Sequence, residues 1–284
     1  MVRPYAWPVS TMLSEIWRYP VKSMRGHQLT EATVEPWGLA GDRRWMVTDA
    51  DGSFLTAREL PRLLLGVPTP GADNGLRLHA DGLGDLVVPA PGADARERTV
   101  QIWSSSVRAR DAGDDAAAWV AELVGADVRL VWLADPTQRP PNPAFARTDD
   151  RVSLADGYPL LVTTEASLEA LGGGFSMRRF RPNLVVTGSK AWAEDDWRVV
   201  RVGGPGGAVF RAVKGCPRCV MTTRDPDTAE GGREPVTTLA RLRRFDGATW
   251  FGTNLVPDTP GAVVREGDVV EVLEEVEPGA GPLR

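Results

Sequence analysis

The amino-acid sequence predicts an α+β fold with β-barrel character. Three observations carry that expectation: short β-prone runs punctuated by glycine and proline, only three helical segments, and a closing strand–turn–strand. Residues 12–19 are β-prone and begin the series. Residues 45–48 and 53–56 flank Asp49-Ala50-Asp51-Gly52, a hairpin turn of the Asp-Gly kind. Residues 76–79 and 85–89 flank a second glycine-bearing turn, and 100–103 with 107–109 add more strand. Asp114 or Asp115 caps a first helix over 116–124, which Gly125 ends. The proline-rich stretch 136–143 reads as a surface loop. A second helix runs from Thr164 through Leu168 and Leu171 into Gly172-Gly173-Gly174, and a third over 235–244 begins with a tolerated proline. Residues 209–213 read as strand, and 220–223 as its extended continuation. Gly267-Asp268 makes the tight turn of the tail, as at the closing edge of a small barrel.

The 284 residues suffice for one large domain or two ordinary ones, with a soft boundary near 110–150. With 42% hydrophobic and 25% charged residues, a soluble core is expected. The net charge of −5 argues against broad nucleic-acid binding, which needs a dominant basic surface. Local basic clusters at Arg43-Arg44, Arg178-Arg179 with Arg181, and Arg241 with Arg243-Arg244 suit a small anion or a solvated face. Residues 1–10 are polar and proline-bearing, without a signal-peptide apolar region, and no apolar run approaches membrane-spanning length. The expectation is a cytoplasmic, reduced protein with no membrane partner.

Both cysteines fall in Lys214-Gly215-Cys216-Pro217-Arg218-Cys219, among cations that favour a thiolate. Two thiols and two histidines, His27 and His79, make a poor structural zinc site, which wants four ligands. On spacing alone, two inert buried thiols and a thiolate that holds a soft ion both stand.

Six segments occur in an order that carries more. They are Tyr19-Pro20-Val21-Lys22-Ser23-Met24-Arg25-Gly26, Gly41-Asp42-Arg43-Arg44-Trp45, Thr56-Ala57-Arg58-Glu59-Leu60-Pro61-Arg62-Leu63, Phe180-Arg181-Pro182-Asn183, residues 216–227, and Phe251-Gly252-Thr253-Asn254. Together they resemble the MOSC family, with an N-terminal MOSC β-barrel domain over 11–130 and a MOSC domain over 131–278. The layout is most similar to the amidoxime-reducing molybdenum enzymes and to bacterial reductases of N-hydroxylated bases.

The resemblance implies a molybdenum cofactor, molybdopterin holding the metal. It makes Cys219 the protein thiolate on molybdenum and the catalytic residue, a soft ligand suited to that metal. It makes Lys22, Ser23, Arg43 and Arg181 contacts to the pterin and phosphate, where guanidinium forks pair with phosphate oxygens. Pro217, Arg218 and Asn183 complete the cofactor-binding set. Pro217 stands where the amidoxime-reducing enzymes have serine, and so lacks an N–H donor. Asn183 organises the loop around Arg181, Cys216 packs beside the metal ligand, and Gly157 stands where relatives place a polar contact residue.

The activity so implied is two-electron reduction of an N–O bond in a small N-hydroxylated substrate. A fused ferredoxin-like domain would bring four more cysteines, so the electrons are expected from a separate ferredoxin, flavoprotein or cytochrome b5-like protein. Two other classes stay open: a molybdenum-cofactor carrier or sulfur-relay protein without turnover, and a metal-free protein using Cys216 and Cys219 as a redox dithiol. Ten tryptophans are read as core packing.

Overall fold

A computed structural model describes residues 10–284. The reading of residues 1–10 therefore falls, except for Ser10, outside the described residues. The fold is strand-rich, with three α-helices among the described residues: α1 (Asp114–Val124), α2 (Glu165–Leu171) and α3 (Val236–Leu242). This is the α+β, β-barrel-rich class expected.

The largest sheet explains how residues far apart in sequence meet. Its order places Met12–Arg18 between His27–Leu29 and Leu184–Thr187, followed by Leu160–Thr164, Ala248–Pro257, Ala208–Pro217, Trp197–Val202 and Val270–Glu275. The backbone bonds Leu13 N–H to Asp268 O and Val270 N–H to Thr11 O, both 2.8 Å, tie the first strand to the last. The sheet, antiparallel except for the parallel pair Leu160–Thr164 and Leu184–Thr187, thus curls back on itself, which is how a sheet reduces its exposed edges. Inside the curl, alternate residues of each strand point inward, and Leu13, Ile16, Val162, Val186, Val200, Phe210 and Leu255 form one core. A second core gathers Val21, Met24, Trp45, Leu63, Leu78, Val120, Leu123 and Leu130 between α1 and the smaller sheet of Glu97–Ile102, Ser105–Asp111, Arg129–Trp132, Trp45–Thr48 and Phe54–Leu55.

Several local expectations are corrected. Gly113, not Asp114 or Asp115, occupies the N-cap of α1, although both aspartates sit in the first turn, where the helix dipole favours negative charge. Gly125 closes α1 in the left-handed region at φ 74°, as expected. The third helix is shorter than 235–244, because Pro235 precedes its first turn and Arg244 already belongs to the strand Arg244–Phe245. Val220–Thr223 is a 3-10 turn rather than extended strand. The hydroxyls of Thr222 and Thr223 donate to Cys219 O at 3.0 Å and Val220 O at 2.7 Å and close it locally.

The two tail strands are present but do not pair with each other. Val263–Arg265 pairs with Glu31–Glu35, and Val270–Glu275 with Trp197–Val202. Trp103 leaves the strand read over 100–103 and turns the hairpin between Glu97–Ile102 and Ser105–Asp111. Within the proline-rich loop 136–143, Arg139 is 3% exposed, so that loop is not purely superficial.

Candidate functional site

One cleft gathers residues from six separated segments. It is lined by Lys22 and Ser23, Arg43, Ala155 to Tyr158, Phe180 with Arg181 and Asn183, and Cys216, Arg218 and Asn254. Three of these positions share an unusual backbone. Ser23 (φ 68°), Arg43 (φ 46°) and Arg181 (φ 55°) all lie in the left-handed region that L-residues with side chains avoid. Such strain persists only where the surroundings fix it, and it concentrates at functional sites. Here the fixing bonds are visible: Lys22 N–H donates to Trp45 O at 2.8 Å, Arg43 N–H to Tyr19 O at 2.8 Å, and Arg181 N–H to Arg178 O at 3.2 Å.

The cations of the cleft are buried or half-buried, and among the described residues few anions face them. Lys22 donates to Leu154 O at 3.0 Å and forms an ion pair with Asp156. Burial pulls its ammonium down to about 8 against the opposing pull of Asp156. Arg43 pairs with Asp42 at 2.5 Å and donates to Asn183 Oδ1 at 2.9 Å and Arg181 O at 3.2 Å. Arg181 donates to Met24 O at 2.8 Å, and burial brings its guanidinium down to about 10. Arg43 and Arg181 both lie 4.2 Å from the Tyr19 ring. Burial pushes the Tyr19 phenol up to about 12, and the two guanidinium groups only partly offset it.

The thiol end is built by the last turn of the long strand Ala208–Pro217. Arg218 N–H donates to Thr249 O at 2.7 Å, which holds the turn against the neighbouring strand. Its side chain donates to Cys216 Sγ at 2.9 Å and to Phe180 O at 2.7 Å. Burial pushes the Cys216 thiol up, with Arg218 opposing. Cys219 is exposed, and its cation is Arg58, whose Nε lies 3.4 Å from Sγ. Of the sequence neighbours expected to favour a thiolate, Lys214 instead stands 3.9 Å from the Phe145 ring. The loop beyond Cys219 is clamped by Arg178 on Asp227 at 2.8 Å and Arg179 on Asp225 at 2.8 Å. Arg178 and Arg179 are consumed by structure, whereas Arg181 of the same cluster lines the cleft.

Asp156 joins the two ends. It pairs with Lys22 and accepts from Arg58 Nη2 at 3.0 Å, while its side chain stays 55% exposed at the mouth. Burial by the surrounding walls would raise its carboxyl, but Lys22 and then Arg58 outweigh that and hold it well below the usual carboxylate range. Arg139 shapes the same loop from behind, donating to Ser153 O at 2.7 Å, Ala155 O at 2.5 Å and Asp156 O at 2.7 Å. Burial takes its guanidinium down to about 10.

The structure therefore brings Lys22, Ser23, Arg43, Arg181, Asn183 and Arg218 to one cleft, with Pro217 and Cys219 at its thiol end. Asn183 is tied to the chain on every side, accepting from Leu161 N–H and Arg43 and donating to Trp17 O at 3.1 Å. It shapes the floor beneath Arg181. A Cβ added at Gly157 would meet nothing within 4 Å, so the backbone there borders open space.

Residues 10–127 match the family model of the MOSC N-terminal beta barrel domain, and residues 149–271 that of the MOSC domain. Mitochondrial amidoxime-reducing component 1 of Mus musculus is 35% identical over 284 residues, covering 92% of this chain and 82% of its own. The chain belongs to the MOSC family. Mitochondrial amidoxime reducing component 2 of Bos taurus is also similar, 34% identical over 248 residues, with 82% of this MOSC chain and 73% of that protein covered. Among solved structures, the YUAD protein from Bacillus subtilis covers 92% of this chain and 94% of its own at 12% identity and a TM-score of 0.40.

The donors of this MOSC chain fit an anionic guest of the molybdopterin kind. Arg181 Nη2, Arg218 Nε and Arg139 Nε are buried without a hydrogen-bond partner. Orphaned buried donors are costly, and charged ones more so. Around the cleft, among the described residues, the carboxylates that face Lys22, Arg43, Arg58, Arg139, Arg181 and Arg218 are Asp42 and Asp156. A phosphate-bearing ligand relieves both deficits.

Four participants were not singled out from the sequence: Arg58, Arg139, Asp156 and Trp103. Only Arg58 had a signal, its place in Thr56-Ala57-Arg58-Glu59. Glu59 fixes that turn by accepting from Thr56 N–H at 3.0 Å and its hydroxyl at 2.7 Å.

Proposed function

We propose that this MOSC chain holds a molybdenum cofactor and reduces the N–O bond of small N-hydroxylated compounds such as amidoximes. The carrying observation is the set of buried, unpartnered guanidinium donors on Arg181 and Arg218 beside an exposed cysteine. When bound, the cofactor supplies the two electrons that cleave the N–O bond. With two protons they turn an amidoxime into an amidine and water. The relatives' own names record amidoxime reduction.

Each residue has a physical task in this reading. Lys22, Ser23, Arg43 and Arg181 hold the pterin and phosphate end, where charge-assisted bonds to phosphate are strong. Arg218 fixes Cys216 and Phe180 O and keeps its Nε for the cofactor beside Pro217. Cys219 supplies one thiolate to the metal, and Arg58 Nε stabilises that thiolate. Among the described residues, no group of three or more His, Cys, Asp or Glu side chains is gathered closely enough to hold a metal ion. A metal at Cys219 accordingly brings ligands of its own, as a pterin dithiolene does. Lys22, protonated at neutral pH, keeps Asp156 ionised at the mouth. Electrons arrive from a separate ferredoxin, flavoprotein or cytochrome b5-like donor.

The test is benzamidoxime reduction by molybdenum-loaded protein with reduced methyl viologen as electron source. Turnover to benzamidine that is lost in Cys219→Ala and kept in Cys216→Ala supports the reading. Molybdenum-loaded protein without turnover refutes the reductase and leaves a cofactor carrier.

A further inference from the structure

We propose that Trp103 is the substrate-positioning residue of this site, an aromatic wall that favours flat, aromatic N-hydroxylated substrates over aliphatic ones. The proposal rests on the reductase reading above and adds the substrate class to it. Trp103 occupies a two-residue hairpin turn between Ile102 and Ser105, at φ 54°. Turns of this kind favour asparagine, aspartate or glycine, and a tryptophan there is strained. It is also 52% exposed, although the described residues form four hydrophobic clusters in which an aromatic ring could be buried. A bulky apolar side chain kept strained and in solvent calls for a role that its fold does not supply.

Its contacts say where that role lies. The indole Nε1 donates to Asp156 Oδ1 at 3.4 Å. The Arg58 guanidinium stands 5.1 Å from the ring and reaches Cys219 Sγ with its Nε at 3.4 Å. Trp103 is thus one guanidinium away from the exposed thiol. Phe54 packs against the ring at 5.0 Å and a tilt of 56°, which braces the indole. A braced, half-exposed indole near the Cys219 thiolate offers its exposed aromatic surface to a flat partner, and aromatic packing supplies the attraction. An alkyl amidoxime gains little there, because it presents no ring.

The closing experiment compares kcat and KM for benzamidoxime and acetamidoxime in molybdenum-loaded parent, Trp103→Ala, Trp103→Leu and Trp103→Phe. Calorimetric binding of benzamidoxime to each is measured alongside. The expected result is a fall of about fivefold to tenfold in the benzamidoxime-to-acetamidoxime ratio of kcat/KM for the alanine and leucine variants. The fall should lie mainly in KM, be matched by weaker calorimetric binding, and be restored by phenylalanine. Leucine keeps bulk without a π-face, so it answers the question even if alanine loosens Arg58 and lowers molybdenum content. A ratio unchanged within twofold in the leucine variant, or equal losses for both substrates, overturns the proposal. If the parent turns over neither substrate yet binds benzamidoxime in a Trp103-dependent way, the reductase reading fails and the aromatic wall stands. If neither turnover nor binding is seen, both fail.

Discussion

Replacing Lys22 by methionine should make the cofactor-free protein more stable at neutral pH, and less stable at high pH. The Lys22 side chain is 6% exposed, and its ammonium titrates near 8 rather than at 10.5. At about 1.4 kcal/mol per pH unit, that difference costs the fold about 3 kcal/mol at pH 7. Removing Lys22 strands little, because Asp156 stays half in water and keeps Arg58 at 3.0 Å. The loss is the Leu154 carbonyl, left without its donor at a cost of about 1 kcal/mol. The net gain is about 2 kcal/mol at pH 7.

Between pH 8 and 10.5 the unfolded chain binds the Lys22 proton and the folded chain does not, so parent stability rises with pH through that window. The advantage of Lys22→Met shrinks to about 1 kcal/mol at pH 9 and reverses near pH 10.5, where only the lost hydrogen bond counts. Urea unfolding at pH 7, 9 and 10.5, followed by tryptophan fluorescence, reads this directly. Lys190 and Lys214 are the only other lysines, so the titration is sparsely populated. A variant less stable than the parent at pH 7, or a gap that does not change with pH, would contradict this cost of burying the Lys22 ammonium. Stability gained here should be lost from function, with less cofactor retained.

Three further outcomes follow from the same geometry. Arg181→Leu should unfold in urea within about 1 kcal/mol of the parent, since it gives up one bond to Met24 O and one orphaned donor, but it should lose most of its molybdopterin, measured by pterin fluorescence after acid extraction. Arg58→Met should leave molybdopterin bound yet lower the molybdenum-to-pterin ratio, measured by elemental analysis beside pterin fluorescence, because the guanidinium that holds Cys219 Sγ at 3.4 Å is gone. Glu194 is wholly buried, bonded by Ser167 Oγ at 2.8 Å and Thr164 Oγ1 at 3.0 Å, and burial pushes its carboxyl up to about 7. The folded state therefore holds a proton between about 4.5 and 7 that the unfolded state releases, so stability falls as pH rises through that window; Glu194→Gln should remove that slope in thermal melts from pH 4.5 to 8.

Much of the fold was legible because it is local. Asp51-Gly52 fixes a hairpin through its own turn chemistry, and Gly125 and Gly172 end their helices at φ 74° and 70°. The sheet order was not legible. Nothing near residues 12–18 states that they pair with Leu184–Thr187, which a register of alternating side chains permits but does not name. Val220 to Thr223 misled because β-branched residues favour strands, whereas threonine hydroxyls here bond back to the chain and tighten a turn.

The site divides in the same way. Lys22, Ser23, Arg43, Arg181, Arg218 and Cys219 sit in short motifs whose order carries information. Arg139 and Trp103 do not: one is in a proline-rich loop and the other in a hairpin turn, and only folding brings both to Asp156. Asp156 itself carries no local mark beyond the glycine that follows it. Its importance comes from Lys22 and Arg58, 134 and 98 residues away.

Whether the cleft's cations and Cys219 hold a molybdenum cofactor decides the rest. The most direct measurement is molybdenum and pterin content, side by side, of protein purified from a molybdate-fed host that makes the cofactor, for the parent, Arg181→Leu and Cys219→Ala. Near-equal molybdenum and pterin per chain in the parent, both lost together in Arg181→Leu, and pterin kept with altered metal spectroscopy in Cys219→Ala, is the predicted result. A parent carrying neither molybdenum nor pterin contradicts it and returns Cys216 and Cys219 to a metal-free dithiol.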